Sequence, residues 1–160
     1  PTIEEAAARA WLPVRARGSN HFIGDREGRL WDVETSAYGA VLTEHDRYAA
    51  HTNHYTTPAM TTFEGYHHEE SRIRLREAER RIAEGLEAGE DPGRLVEELL
   101  RSHANEPSSI CGHPDPAEAP ADQGMTVASM VCDLDAMRLQ ACAGPPCENE
   151  YRTFEVGMTT

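Results

Sequence analysis

The sequence predicts an α+β fold. Strand-like alternation fills the first third of the chain, a helical period takes over near residue 69, and strand patterns return after residue 124. Runs of strands, then helices, then strands read as α+β rather than as alternating βαβ units. No internal repeat is visible, and the 160 residues are read as one domain with a flexible loop near 104–124.

Residues 2–11 are Ala-rich and read as a short helix, closed by Pro13. His21 to Asp25 reads as a strand, Arg26-Glu27-Gly28 as a hairpin turn, and Arg29 to Glu34 as the return strand. Ala40 to Leu42 and Arg47 to Tyr55 read as two more strands about a turn at Glu44-His45-Asp46, completing an antiparallel meander. A loop with Pro58 follows. From Glu69 to Gly89, Leu75, Ala78, Ile82 and Leu86 form one apolar stripe. Glu70 with Arg74 and Glu77 with Arg81 are pairs four residues apart on the wet side. Asp91-Pro92 opens a second helix, with Leu95, Val96, Leu99 and Leu100 as its stripe. Residues 104–124 are rich in Pro, Ala and Asp and carry little burial signal. Met125 to Cys132 and Arg138 to Ala143 read as a hairpin, and Tyr151 to Val156 as a last strand.

Composition narrows the function classes. The net charge is −13 and all 15 basic residues are Arg. That surplus argues against nucleic acid, which needs a cationic face, and against an anionic membrane surface. No apolar run approaches the length of a membrane span. The start, Pro1-Thr2-Ile3-Glu4-Glu5, has neither the basic flank nor the apolar run of a signal peptide. It also lacks Met, so an upstream piece is expected to have been removed or to be missing. Apolar residues at 39% are few, and part of the core is expected in sequence outside this chain. Four Cys, at 111, 132, 142 and 147, are too few and too clustered for a secreted disulfide scaffold, which points to reduced thiols and a cytoplasmic location.

Several residue groups are candidates for chemistry. Asn53, in His51-Thr52-Asn53-His54-Tyr55, stands at a strand end; alternation would put His51, Asn53 and Tyr55 on one face. An Asn there can donate to a developing oxyanion, or simply cap a turn. Ser71-Arg72 opens the long helix, where a cation opposes the helix dipole. Such an Arg either holds an anion elsewhere or is a solvated side chain among many. Cys111-Gly112-His113, with His103, offers metal-ligand types, but no CxxC pair exists and the other Cys lack the spacing of structural zinc sites. No cofactor and no metal is expected on spacing; a small metal module on His103, Cys111 and His113 is a rival that elemental analysis would settle. His67-His68-Glu69-Glu70 reads as a helix-start charge cluster, and Gly144-Pro145-Pro146-Cys147 as a rigid structural turn.

Taken together these segments resemble a known family. Asn20 to Asp25, through Gly28 to Val33-Glu34, is similar to an Asn-strand-Asp-x-x-Gly-strand-Glu hairpin. Thr52-Asn53-His54-Tyr55, Ser71-Arg72, Thr126 to Ser129, and Gly144 to Tyr151 follow in the matching order. The family is the acyl-coenzyme A:6-aminopenicillanic acid acyltransferase type of N-terminal-nucleophile enzymes, related to penicillin V acylase and bile salt hydrolase. The resemblance covers roughly 1–156 and is that of a C-terminal part. It implies a four-layer αββα sandwich and a self-cleaved chain whose first Cys attacks, with its own α-amine as base and a thioester as intermediate. It implies Asn53 as the oxyanion amide and Arg72 as the cation that steadies the nucleophile region. It implies a small-molecule amide or acyl-thioester substrate.

The nucleophilic Cys is expected to be absent from this chain and to reside in the upstream half of the same domain or in its processed chain. A cut there would leave bare sheet edges, so a homo-oligomer is another expected partner. The rival from a different class is a catalytically inactive binding or assembly module that keeps the fold.

Overall fold

The computed structural model describes residues 2–12, 16–65, 69–117, 119 and 123–157. The chain divides into two compact units, Pro1–Arg72 and Ile73–Thr160.

The first unit begins with helix α1 (Ile3–Ala10), started by a capping box in which Thr2 and Glu5 exchange backbone and side-chain hydrogen bonds. Strands β1 (Ser19–Gly24), β2 (Leu30–Thr35) and β3 (Ala40–His45) form an antiparallel sheet in chain order. The β1–β2 turn is written in its residues. Asp25 Oδ1 accepts from the Glu27 and Arg29 amides, each at 3.0 Å, and Gly28 takes φ of 82°. The register sets Asn20 opposite Glu34 and Phe22 opposite Asp32. Helix α1 packs on β1 and β2, burying Ile3, while Val33 is buried on β2.

Two expectations fail in this unit. Residues 47–55 are irregular rather than a strand, and β3 itself runs on to His45. Within that segment the Asn53 amide bonds to a side chain, Ser71 Oγ, rather than to a neighbouring strand. The Pro58 loop holds a single turn of helix, α2 (Pro58–Thr61), with Pro in its first turn and Met60 buried. Pro13 and His67-His68 lie outside the described residues.

Helix α3 (Glu69–Glu87) crosses from one unit into the other, and α4 (Pro92–Leu100) starts where Asp91 accepts from the Arg94 amide at 2.9 Å. On α3, Glu77 pairs with Arg80 rather than Arg81; Arg81 reaches Glu90 and Glu98. Strands β4 (Ala128–Asp133), β5 (Arg138–Ala143) and β6 (Arg152–Glu155) make a second antiparallel sheet, again in chain order. Leu95 and Leu99 of α4, Val131 of β4 and Cys142 of β5 form the core here. The 104–124 segment is less bare than its composition suggests: Ser109 and Cys111 are buried, the latter completely. Two three-stranded antiparallel sheets and four helices among the described residues make an α+β chain, as the element order predicts.

Candidate active site

Glu34 is the anchor of the first unit. Its side chain is 1% exposed, and a buried carboxylate needs donors to be tolerable. It has five. His51 Nε2 donates at 2.8 Å, the Thr56 and Thr57 amides donate, and the two threonine hydroxyls add bonds of 3.0 and 2.6 Å. Burial alone would raise its pKa; the Thr57, Thr56 and His51 donors outweigh burial and hold it below the ordinary carboxylate range. Asp32, two residues earlier on the same strand face, goes the other way. Burial raises its pKa, and its Oδ1 has no hydrogen-bond partner.

The far end of the same irregular segment is tied to helix α3. Ser71 is buried and its hydroxyl is a junction. The Asn53 amide donates to Ser71 Oγ at 2.7 Å. Ser71 Oγ donates to Thr52 Oγ1 at 2.9 Å, and Thr52 returns its own hydrogen to the Ser71 carbonyl at 2.9 Å. With both hydroxyl hydrogens spent, Nδ1 of buried His54 is the donor to Ser71 Oγ at 2.8 Å. Burial and then the charge of Arg72 depress the His54 pKa, so this imidazole is neutral at physiological pH. Tyr55 completes the clamp by donating from its hydroxyl to the Thr35 carbonyl at 2.8 Å.

These ties fix Asn53 on the wall of a cavity of about 390 Å³, lined also by Ser19, Asn20, His51, Tyr55 and Glu64. Arg72 does not itself line it. Its guanidinium reaches Glu64 Oε2 at 2.9 Å, and Glu64 is on the wall. The other oxygen of Glu64 and the side-chain oxygen of Asn20 are buried without hydrogen-bond partners. The cavity therefore combines a side-chain amide on a fixed backbone with two buried acceptor oxygens in its lining residues.

The family model described as acyl-coenzyme A:6-aminopenicillanic acid acyl-transferase matches residues 1–148. The chain belongs to that family. No curated protein matches it. Membership in the acyltransferase family gives the general kind of activity, acyl transfer or hydrolysis. No helix among the described residues is long and apolar enough to cross a membrane.

Of the two site residues read from sequence, Asn53 lies on the cavity wall and Arg72 stands one side chain behind it. The segment that carries Asn53 is not a strand, so His51, Asn53 and Tyr55 come to one cavity through bonds to Glu34, Ser71 and Thr35 rather than through alternation. Sequence reasoning missed the structural parts of Glu34, His51, Ser71 and Glu64. For Glu34 and Ser71 a signal existed, since Glu34 closes and Ser71 opens a motif that carried the family resemblance. Elsewhere, Cys111 and His113 of the second unit converge with His103 and Cys147.

Proposed function

We propose that this chain is the C-terminal segment of a linear-amide C–N hydrolase or acyltransferase whose nucleophile is an N-terminal Cys absent from these 160 residues. The observation that carries the reading is Asn53 on the cavity wall, with its backbone held by Ser71. The four Cys all fall at position 111 or later, and the unit bearing Asn53 has none. The partner is accordingly the upstream half of the same domain or its processed chain.

The chemistry asks little of this segment beyond electrostatics. A Cys thiolate attacks the carbonyl carbon of an amide or acyl thioester, and the carbonyl π electrons move to oxygen. The Asn53 side-chain N–H groups donate to that oxyanion. Collapse breaks the C–N bond of the amide or the C–S bond of the acyl thioester, the amine or thiol leaves with a proton from the α-ammonium of the Cys, and the acyl group stays as a thioester on that Cys. Water or an acceptor amine then takes it up. Arg72 fixes Glu64, and its charge adds to burial in lowering the His54 pKa; it is a positioning residue.

The test is the complete reading frame, assayed against linear amides and acyl thioesters. Asn53→Ala should lower kcat about 10²–10³-fold with KM little changed, because the interaction matures only in the transition state. Unchanged kcat in Asn53→Ala removes the assignment. A folded complete protein with no processed N-terminal Cys and no amide cleavage would leave the inactive binding module in its place.

A further inference from the structure

The second unit gathers four soft donors at one point. His103 follows the end of α4, Cys111 and His113 sit in the loop after it, and Cys147 sits in the Pro-Pro turn after β5. One ligand atom of each lies within 4.8 Å of all the others. The Sγ atoms of Cys111 and Cys147 are 3.5 Å apart. The Nε2 atoms of His103 and His113 are 3.1 Å apart. His113 Nε2 is 3.1 Å from the sulfur of Cys147 and 3.7 Å from that of Cys111.

We infer that these four side chains form a structural zinc site. A tetrahedral zinc with Zn–S of about 2.3 Å and Zn–N of about 2.0–2.1 Å sets its ligands on edges of about 3.8 Å for two sulfurs, about 3.4 Å for two nitrogens and about 3.6 Å for a mixed pair. The four separations above lie within about 0.5 Å of those edges. Two thiolates, two imidazoles and no carboxylate is a donor set that favours zinc over magnesium, calcium or manganese. Hydrogen bonding can account for the His103–His113 contact but is a poor explanation for the close approach of the two sulfurs to each other and to His113, because a thiol is a weak donor and weak acceptor.

The backbone around the ligands is already fixed. The Cys111 amide donates to the Ser102 carbonyl at 2.9 Å, and Ser109 Oγ donates to the Cys111 carbonyl at 2.7 Å. Gly112 and Thr126 exchange two bonds of 3.0 Å, tying the loop to the chain ahead of β4. On the other side, Arg101 donates to the Pro146 carbonyl at 2.6 Å and Asn149 to that of Pro145 at 2.9 Å. Behind His113, the carboxylate of Glu148 stands 3.5 Å from Nδ1. With a small approach to hydrogen-bond distance it is placed to serve as the outer partner that turns Nε2 toward a metal. Four protein ligands leave no open position, so the ion is structural: it pins the end of α4, the 102–113 loop and the β5–β6 turn together. The site stands whether or not the chain takes part in catalysis.

The untagged 160-residue chain, purified without chelator, should carry one zinc per molecule by mass spectrometry of the elements. Exchange for cobalt should give the visible bands and thiolate charge transfer of a tetrahedral Co(II) site. The Cys111→Ser/Cys147→Ser double variant should lose the metal. Glu148→Gln, an exposed change that keeps all four ligands, should bind zinc about 10–100-fold more weakly. A metal-free protein with four titratable thiols that takes up no cobalt overturns the inference. So does an intact mass short by two hydrogens with a Cys111–Cys147 disulfide.

Discussion

A single carboxylate decides the form of the Asn53 segment. Glu34 is buried and holds His51, Thr56 and Thr57 through five bonds. Glu34→Gln puts an amide donor where donors already point, so it should cost about 2–4 kcal/mol in denaturant unfolding at neutral pH. The pH dependence follows from the direction of the shift. The folded pKa lies below the ordinary value of 4.5, so the unfolded chain takes up the proton first. Glu34 therefore stabilises the fold above about pH 4.5, and that contribution fades as pH falls through the folded pKa. The gap between wild type and Glu34→Gln should shrink below that pH; a gap that is constant or grows on acidification would show that the charge is not what matters. The five bonds were not legible at Glu34, which the sequence marks only as the Glu that ends a motif carrying the family resemblance. Nor were the bonds of Ser71, whose hydroxyl serves Asn53, Thr52 and His54 at once. Pairwise bonds across 17 to 22 residues leave no periodic trace in a sequence.

Elements with a period were read well. The alternation of β1 and β2, the stripe on α3, the Asp91-Pro92 start of α4 and the β4–β5 hairpin all lie close to where the sequence puts them. Residues 47–55 carry strand-like residues but form no strand: Ser71 takes the Asn53 amide and Glu34 takes the His51 side chain instead. Of the four inferred zinc ligands the sequence offered His103, Cys111 and His113 and missed Cys147, for a related reason. Spacing rules see neighbours in the chain, and Cys147 reaches the cluster only because β4 and β5 pair. The α3–α4 hairpin offers a prediction of its own. Gly85 faces Leu95 so closely that an added Cβ would fall 2.6 Å from Leu95 Cδ1 and 2.7 Å from Cδ2. Leu95 is 1% exposed and has little room to yield. Helix propensity alone would make Gly85→Ala stabilising by about 1 kcal/mol. Overpacking should win, giving a net loss of about 1–2 kcal/mol in thermal or urea unfolding. Any gain in stability would mean that the two helices are not held at this distance.

At the scale of the whole molecule, charge and exposed apolar surface pull in opposite directions. On the second sheet, Met130 of β4, 63% exposed, and Phe154 of β6, 51% exposed, share a face with Cys132 and Leu139. All four residues of β6 are exposed. An apolar sheet face of this kind beside a strand edge is a surface for association. Against it stands a net charge of −13, which keeps copies apart at long range. Salt screens that repulsion within a Debye length of about 8 Å at physiological ionic strength and leaves the short-range apolar attraction in place. The 160-residue chain should therefore self-associate more strongly as sodium chloride rises, the reverse of an ion-paired interface. Sedimentation velocity across a salt series reads this directly. Met130→Asp and Phe154→Asp should each return the chain toward monomer at high salt, and fresh reductant should not, because the contact is apolar rather than a Cys132 disulfide. A chain that stays monomeric throughout, or that dissociates as salt is added, would show that this face does not drive assembly.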